Sequence, residues 1–276
     1  MLIQLSTEDA DRLVAGQCIS SLSDAVKELV ENALDAEATA IDIRLGNDAS
    51  ITVSDDGMGI DDFTLLGIRS STSKLNADKY GFRGEALAAL TRISAEVMIT
   101  SATSASEPEG HRIILRFDSN IQRSSIESVA RRRGTTVTVK KLFANLPIRH
   151  QELMRRFAKE LQDTSYVIKL LAISRPFVRF NVWFMRTNND RCLFQTIDGE
   201  NAQHDVLIAQ KSRFCSFFDI SNDALEFFTT NNELPQISVN GWISKFTDRQ
   251  RSRKSVQQIL LINGRPATDN FVDVYF

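Results

Sequence analysis

The sequence predicts an α/β protein, and three observations support this expectation. Residues 20–36 have the apolar spacing of an amphipathic helix, and the residues after them alternate between apolar and polar as the strands of a β-hairpin do. Further alternating strands follow, separated by glycine-bearing turns and by another helix. After Gly199 the pattern of helix and strands begins again, so we expect two domains, over residues 1–200 and 201–276.

The first helix has a polar edge that a purely structural helix does not need. Its apolar stripe consists of Leu22, Ala25, Val26, Leu29, Ala33 and Leu34, and either Ser21 or Ser23 can cap its start. Glu28, Asn32 and Asp35 line up along the border of this stripe. Such an edge is commonly a solvated surface, but a carboxylate and an amide one helical turn apart can also bind a ligand.

The remaining elements follow in order along the chain. Ile41, Ile43 and Leu45 share one face of the first hairpin strand, and the second strand, SITVS, runs directly into the turn DDGMGI. A short helical segment is predicted at 63–69, and a further helix opens at GEALAALTRIS. Strands are predicted at 95–101, 112–117, 135–139, 177–184, 237–246 and 255–262, one long helix from 146 to just before Pro176, and a helix at 203–211.

Composition is that of a soluble globular protein without a strong field of either sign. The chain has 276 residues, of which 42% are apolar and 25% charged, and its formal net charge is −2. A contact with nucleic acid must therefore come from local basic patches. Two such patches are Arg131-Arg132-Arg133 and the group formed by Arg249, Arg251, Arg253 and Lys254, each of which can also be solvated loop charge.

Cysteine usage and apolar runs bear on the compartment. Cys18, Cys192 and Cys215 stand far apart with no CxxC pair, which favours the cytosol or nucleus over an oxidising compartment. No secretory signal is present at the N-terminus, and no apolar run approaches the roughly 20 residues that cross a bilayer, so no membrane association is expected. The final residues, NFVDVYF, stop within an apolar pattern, which predicts that the second domain is incomplete.

Four stretches in a fixed order together predict a nucleotide site. They are Glu28 with Asn32, the turn DDGMG at 55–59, the loop TSKLNADKYGFRG at 72–84, and GTT at 134–136. Taken singly, the turn is an ordinary tight turn and the loop is an ordinary link into a helix. In combination, Gly57 and Gly59 permit a close approach of backbone to a ligand ring. Asp55, at a strand end, can accept a hydrogen bond from the exocyclic amine of adenine, where guanine has a carbonyl.

The loop at 72–84 has the chemistry of a phosphate site. Gly81 and Gly84 let backbone N–H groups point inward, and the helix that begins near Arg83 presents its positive end to phosphates. The side chains of Thr72, Ser73 and Lys74 add hydroxyls and a cation. The chain has no GxxxxGK[ST] motif and no protein-kinase motif set, so this cradle differs from both.

The helix edge completes the site with a candidate metal ligand and a candidate base. Mg²⁺ prefers oxygen ligands and keeps several waters, and the side-chain oxygen of Asn32 can supply one such ligand. Glu28, one turn earlier, can polarise a water for attack on the γ-phosphate. We therefore expect ATP and Mg²⁺ to bind.

These motifs resemble those of one family. The stretches KELVENALDAEA, VSDDGMGI, YGFRGEALAAL, GTTVTVKKLFANLPIR and LLINGRPA closely resemble the N-terminal ATPase module of MutL-family DNA mismatch-repair proteins, members of the GHKL superfamily of gyrase, Hsp90, histidine kinases and MutL. GFRGEAL with LFxNxPxR is specific to MutL proteins. The resemblance implies a Bergerat-type α+β sandwich, with helices on one face of a mostly antiparallel sheet, followed by a truncated domain of the ribosomal-protein-S5-like type.

The resemblance also implies roles position by position. Glu28 matches the general base, Asn32 the Mg²⁺ ligand, Asp55 the adenine-binding aspartate with Gly57 and Gly59 beside it, and Thr136 the threonine of the adenine-side water network. The phosphate lid would consist of Thr72, Ser73, Lys74, Gly81, Phe82, Arg83 and Gly84. Three departures stand out: Asp56 where relatives have asparagine, a short loop between Lys74 and Gly81, and the absence of the γ-phosphate lysine that the family has well beyond NGR.

The implied function is an ATP-driven clamp of DNA mismatch repair or meiotic recombination. It would act in the nucleus, as a heterodimer with another MutL homologue, on the DNA backbone with little sequence preference, and the second basic patch, Arg249 to Lys254, would contact DNA. Among paralogues the sequence is most like the MutLγ subunit of meiotic crossing-over, with the post-meiotic-segregation type as the alternative. The competing hypothesis is a non-hydrolysing DNA-binding or dimer-assembly module with a remnant ATP site, against which the presence of Glu28 counts.

Overall fold

The computed structural model describes residues 14–64, 66, 86–118, 120–187, 189–196, 205–232, 237–244 and 259–266. These residues fall into two compact units. One is drawn from residues 1–168 and 178–196, and the other from residues 169–177 and 197–276.

The first unit is a sheet with helices connected to it. Its elements are α1 (Leu22–Asp35), β1 (Ala40–Gly46), β2 (Ile51–Asp55), α2 (Ala86–Ile93), β3 (Glu96–Ala102), β4 (Glu109–Asp118), β5 (Asn120–Arg123), β6 (Glu127–Ala130), β7 (Gly134–Lys140), α3 (Pro147–Arg155), α4 (Phe157–Ser174, which continues into the second unit), β8 (Arg179–Met185) and β9 (Arg191–Gln195). Among the described residues nine strands join, eight of them in the order β5-β4-β3-β7-β2-β1-β8-β9, with β6 paired to β4. Only the described pair β1–β8 is parallel, so the expectation of a mostly antiparallel sheet is confirmed.

Helix α1 forms as its sequence predicts. Ser21 has extended backbone geometry, and its hydroxyl accepts a hydrogen bond of 3.0 Å from the Asp24 amide, so Ser21 is the N-cap. The predicted apolar stripe is buried except for Leu34, which is half-buried. Each buried leucine or valine stabilises the fold by roughly 1.5–3 kcal/mol. The helix packs against β2, and the carbonyl of its C-cap residue Ala36 accepts a hydrogen bond of 2.9 Å from the Met58 amide.

The sheet has one apolar face and one polar face. Ile41, Ile43 and Leu45 of β1 are completely buried, as the alternation predicts. The intervening residues face the other way, where hydroxyl pairs join neighbouring strands: Thr52 meets Thr138 and Ser54 meets Thr136. A side chain at the end of β2 or β7 therefore lies on the core side or on the polar side according to its position in this alternation.

Some elements differ from the sequence-based expectation. The single helix predicted from 146 divides into α3 and α4 at Arg156, whose φ is −106° and whose amide contacts carbonyls of both Glu152 and Leu153. Lys159 then donates to the Arg156 carbonyl, three residues back, so a tighter turn interrupts the regular ladder. No glycine or proline marks this break. Strands β5, β6 and β9 were not predicted, because they are short and largely exposed and lack alternation.

The second unit contains α5 (Val206–Phe218), a 3₁₀ turn at Asn222–Ala224 and two small hairpins, formed by β10 (Leu225–Asn232) with β11 (Ile237–Ser244) and by β12 (Leu261–Ile262) with β13 (Arg265–Pro266). Asp205 caps α5 by accepting from the amides of Leu207 and Ile208. The buried Arg213 donates to the carbonyls of Ala172 and Arg175, which lie where the preceding helix ends. The predicted helix at 203–211 is thus longer, and most of the predicted strand at 255–262 lies outside the described residues.

Candidate functional site

Asp55 ends β2 with one carboxylate oxygen committed and the other available. Its Oδ1 accepts hydrogen bonds from the amides of Gly57, at 2.9 Å, and Thr135, at 3.2 Å. Among the described residues Oδ2 has no hydrogen-bond partner. The carboxylate is therefore held in a fixed orientation by two neighbouring turns while it keeps an acceptor for a ligand.

The surroundings of Asp55 raise the pKa of its carboxyl group. Burial raises the pKa of this carboxyl, and the two amide hydrogen bonds and the charge of Arg131 only partly offset that effect. A half-buried acceptor with a raised pKa at the end of a strand is typical of a functional position rather than of a surface charge.

Asp56 differs from Asp55 although it is the next residue. Its carboxylate accepts from the Thr39 amide, at 2.7 Å, the Thr39 hydroxyl, at 2.6 Å, and the Ala40 amide, at 2.9 Å. Burial raises the pKa of Asp56, but these hydrogen bonds outweigh it and hold the pKa below its usual value. This carboxylate, which stands where relatives have asparagine, is thus bound by the turn between α1 and β1.

The two glycines of the turn lie against protein backbone. Gly57 lies beside Ala36, where an added Cβ would come within 2.7 Å of the Ala36 carbonyl oxygen. Gly59 has a φ of +79°, and a Cβ there would lie 2.1 Å from the Ala102 carbonyl oxygen. The predicted reason for these glycines was a close ligand ring. The structure gives each a reason within the fold: the turn must fit between the end of α1 and the end of β3.

The threonine beside Asp55 is Thr135 rather than Thr136. Ser54 pairs directly with Thr136, so their side chains share the polar face, and the hydroxyls lie 2.8 Å apart. Asp55 is one residue further along β2, so its side chain lies on the other face, together with that of Thr135. Thr136 therefore lies on the opposite face of the sheet from the Asp55 carboxylate, and the role of either threonine toward a base stays a prediction. Strand alternation from Asp55 through the β2–β7 pairing could have indicated Thr135, had the register been known.

Glu28 and Asn32 lie one turn apart on α1, at the border of the buried stripe, as predicted. Glu28 is half-buried and Asn32 is exposed. At 1.5 Å of rise per residue their Cα atoms are separated by about 6 Å along the axis. Asp35, on the same edge, is buried with only 8% of its surface exposed. The edge thus presents a carboxylate and an amide oxygen, the donor types that Mg²⁺ accepts.

No cluster of three or more His, Cys, Asp or Glu side chains able to hold a metal occurs among the described residues. A metal bound at Asn32 would therefore need oxygen ligands from water and substrate. This donor set fits Mg²⁺, which keeps its waters and is bound by few protein ligands together with phosphates.

Two predicted groups lie outside the described residues. The first is the phosphate loop, with Thr72, Ser73, Lys74, Gly81, Phe82, Arg83 and Gly84. The second is the proposed DNA contact, with Arg249, Arg251, Arg253 and Lys254. Their roles stay predictions.

The first basic patch supports the turn. Arg131 donates to the Gly134 carbonyl and the Thr136 hydroxyl, and Arg133 donates to the carbonyls of Asp56 and Gly57. Arg132 is exposed and makes no hydrogen bond or ion pair within the described part of the chain. The expectation of either a solvated loop or a DNA contact thus missed the hydrogen bonds that two of these arginines make to the turn and to the start of β7.

In the parts of the chain that the structure describes, no helix combines the length and apolarity that crossing a membrane requires.

Comparison with known proteins relates this arrangement to one family. Residues 19–140, which include α1, β2 and β7, match the family described as histidine kinase-, DNA gyrase B- and HSP90-like ATPase. The mismatch repair endonuclease PMS2 of Gallus gallus is 31% identical over 284 residues, covering 95% of this chain and 32% of that protein. The DNA mismatch repair protein MutL of Methanocorpusculum labreanum is 30% identical, covering 96% and 44%. The chain therefore spans less than half of the length of each of these relatives.

Solved structures agree on the fold. The crystal structure of the N-terminal domain of a DNA repair protein has a TM-score of 0.78 at 29% identity, covering 94% of this chain and 78% of that one. The Aquifex aeolicus MutL ATPase domain complexed with ADP has a TM-score of 0.65 at 24% identity, covering 90% and 83%. Residues 19–140 therefore form a GHKL-type ATPase domain, and the chain as a whole is similar to MutL mismatch-repair proteins of the PMS1/PMS2 type.

Proposed function

We propose that this chain binds ATP with Mg²⁺ and hydrolyses it, as the nucleotide-driven clamp module of a mismatch-repair protein. The observation that supports this most directly is the Asp55 carboxylate, whose Oδ1 accepts from two amides and whose Oδ2 has no hydrogen-bond partner among the described residues. Because the carboxylate is already oriented, accepting a hydrogen bond from a ligand costs little further conformational entropy. Adenine offers such a donor through its amine.

Different residues would bind the base and the phosphates of the nucleotide. Asp55, with Thr135 beside it, would bind the adenine amine, and guanine, with a carbonyl there, would meet an unmatched acceptor. The lid residues between Thr72 and Gly84 would bind the phosphates. Asn32 would hold Mg²⁺, which when bound neutralises phosphate charge and orients the triphosphate.

Glu28 would act as the general base. It lies at the half-buried edge of α1, where its carboxylate can take a proton from a water while the helix holds it in place. A proton-accepting side chain of this kind typically contributes about 10²–10⁴-fold in rate. The alternative, a DNA-binding or assembly module that binds ATP without hydrolysis, gains support if Glu28 can be removed without loss of turnover.

The wider function also belongs to this proposal. The relatives named above act in mismatch repair, so we propose that the whole protein binds DNA, pairs with a second MutL homologue and works in the nucleus. The PMS1 and PMS2 names of several relatives favour the post-meiotic-segregation type. The MutLγ type stays a prediction, as do the domain limits at residue 200 and the S5-like second domain.

Nucleotide titrations test the base assignment. The parent chain should bind ATP more tightly than GTP, because an unmatched pair of acceptors costs about 1–3 kcal/mol. Asp55→Asn should remove this preference by weakening ATP binding. The matched control is Asp61→Asn, an exposed aspartate with no hydrogen bond in the described residues. Equal affinity of the parent for ATP and GTP would refute the assignment of Asp55 to the base.

A further inference from the structure

Arg131 lies beneath the Asp55 turn, on the polar face of the sheet. Its Nη1 donates to the Thr136 hydroxyl at 2.7 Å and its Nε donates to the Gly134 carbonyl at 3.1 Å. A third, longer contact of 3.5 Å joins Nη2 to the Asp55 carbonyl. The planar guanidinium thus bridges both neighbours of Thr135.

Thr135 links Arg131 to the carboxylate. The amide of Thr135 donates to Asp55 Oδ1, and its hydroxyl lies 2.9 Å from that of Ser101 in the buried layer. Because Arg131 fixes the residue before Thr135 and the residue after it, it also fixes the direction of the Thr135 amide. Arg131 never needs to reach the ligand side in order to orient the carboxylate there.

Gly134 allows the start of β7 to lie close against the end of β2. Its φ is +120°, and a Cβ would lie 2.1 Å from the Asp55 carbonyl oxygen, so the two strand ends are in direct contact. Arg133 adds hydrogen bonds to the Asp56 and Gly57 carbonyls from the other side of the turn. The turn at 55–57 is therefore attached to the start of β7 at several points.

We infer that Arg131 is a specificity-positioning residue, which holds Thr135 and the end of β2 so that the Asp55 carboxylate is oriented for one class of base, a purine that carries an amine where guanine carries its ring carbonyl. The inference rests on the proposed function, since it needs Asp55 to read the base. It assigns a positioning role to a half-buried arginine whose sequence context indicates a surface charge cluster.

Electrostatics give the inference a second, independent readout. The positive charge of Arg131 lowers the pKa of Asp55, against the larger effect of burial. The Asp55 charge in turn partly offsets the lowering that burial causes in the pKa of Arg131. Removing the charge at position 131 should therefore raise the pKa of Asp55 further. As the pH is lowered, the variant would then lose its preference for ATP at a higher pH than the parent does, because protonated Asp55 is no longer a free acceptor.

The arginine triplet supplies its own controls. Binding of ATP and of GTP is titrated over a range of pH for the parent, Arg131→Met, Arg131→Lys, Arg132→Met and Asp55→Asn. The ratio of the two affinities cancels the ionisation of the phosphates, which both nucleotides share. Arg131→Met should lower the ATP preference about tenfold, the effect of one ordinary hydrogen bond. Its remaining preference should disappear at a higher pH than in the parent.

Arg131→Lys separates charge from geometry. Lysine keeps the charge but lacks the fork that reaches Gly134 and Thr136 together. It should retain the parental pH midpoint and lose part of the preference. Arg132→Met should match the parent in both measurements. If Arg131→Met does not fold, Arg131→Lys decides the question alone.

The outcomes distinguish this inference from the proposed function. An Arg131→Met protein, or failing that an Arg131→Lys protein, with parental preference and parental pH midpoint would overturn the inference alone. An Arg132→Met protein as impaired as Arg131→Met would overturn it too, since a general charge effect would then suffice. A parent without ATP preference, or Asp55→Asn with the parental preference, would overturn the proposed function and the inference with it.

Discussion

Two adjacent aspartates at the end of β2 show how local contacts decide what a carboxylate does. Asp55 gives one oxygen to two amides and is left with an acceptor, and burial raises its pKa. Asp56 is bonded by three donors from Thr39 and Ala40, and its pKa is lowered. When two titratable neighbours have environments that push their pKa values apart, their roles differ. Here the second stabilises the fold, and the first is the one that we propose for a ligand.

The second role gives a stability prediction. Asp56→Asn should lower the free energy of unfolding by about 1 kcal/mol at neutral pH, a modest value because the site is partly exposed. The lowered pKa means that the contribution is fully present above the aspartate pKa of an unfolded chain, about 3.9. It is lost as the pH falls from there through the lowered pKa of the folded state.

Urea unfolding at a series of pH values checks this prediction. The difference between the parent and Asp56→Asn should shrink on the acid side, and Asp61→Asn should follow the parent throughout. A difference that stays constant to the most acid pH would mean that the charged carboxylate is not the source of the stability.

At the scale of elements, the stretch LFANLPIR is a connector with its own hydrogen bonds. Lys141 and Phe143 have positive φ values of 50° and 61°. The side-chain amide of Asn145 donates to the carbonyls of Arg92, at 2.9 Å, and Ser94, at 2.8 Å, where α2 ends. In this structure the motif therefore fixes the end of α2 and the start of α3.

Removal of the Asn145 side chain tests this interpretation. Asn145→Ala should leave two terminal carbonyls of α2 without these donors and lower the free energy of unfolding by about 1–2 kcal/mol. Denaturant unfolding measures the loss, with Asn189→Ala as a control, because Asn189 is exposed in the connection between β8 and β9. Parental stability of Asn145→Ala would show that water replaces the amide at no cost.

Individual elements show what the sequence could predict. The three- and four-residue spacing in α1 and the alternation in β1 each select one structure, so both were predicted with nearly correct limits. Strands β5, β6 and β9 depend on long-range pairing, for which a local pattern has no signal. The break at Arg156 was missed because no glycine or proline marks it. The same limit explains the site. The stretch GTT was recognised, but choosing Thr135 over Thr136 required the register between β2 and β7.

The roles of Arg131 and Asp56 illustrate the other limit. Both are charged residues in polar, glycine-bearing stretches, and such residues are usually solvated. Each has a partner among the backbone groups of a segment distant in sequence: the carbonyl of Asp55 for Arg131 and the amide of Thr39 for Asp56. Backbone acceptors and donors leave no mark on the sequence, so these contacts could be found only from the structure.

At the scale of the whole molecule, the central claim is that the edge of α1 hydrolyses ATP. Glu28 and Asn32 lie on the same edge but are assigned different work. We propose that Glu28 acts on the attacking water and contributes little to ground-state binding, and that Asn32 holds Mg²⁺ and so supports binding of the phosphates. Loss of Glu28 should therefore slow hydrolysis without weakening ATP binding, whereas loss of Asn32 should weaken both.

The most direct test is single-turnover hydrolysis of bound Mg-ATP by Glu28→Ala, measured on the 276-residue chain together with its ATP affinity. We expect parental affinity and a loss of about 10²–10⁴-fold in hydrolysis. Asn32→Ala should lose both binding and hydrolysis. Glu31→Ala, on the same helix and ion-paired with Lys27 at 4.0 Å, should retain both. Hydrolysis by Glu28→Ala at the parental rate would contradict the account and favour a module that binds ATP without using this helix edge for catalysis.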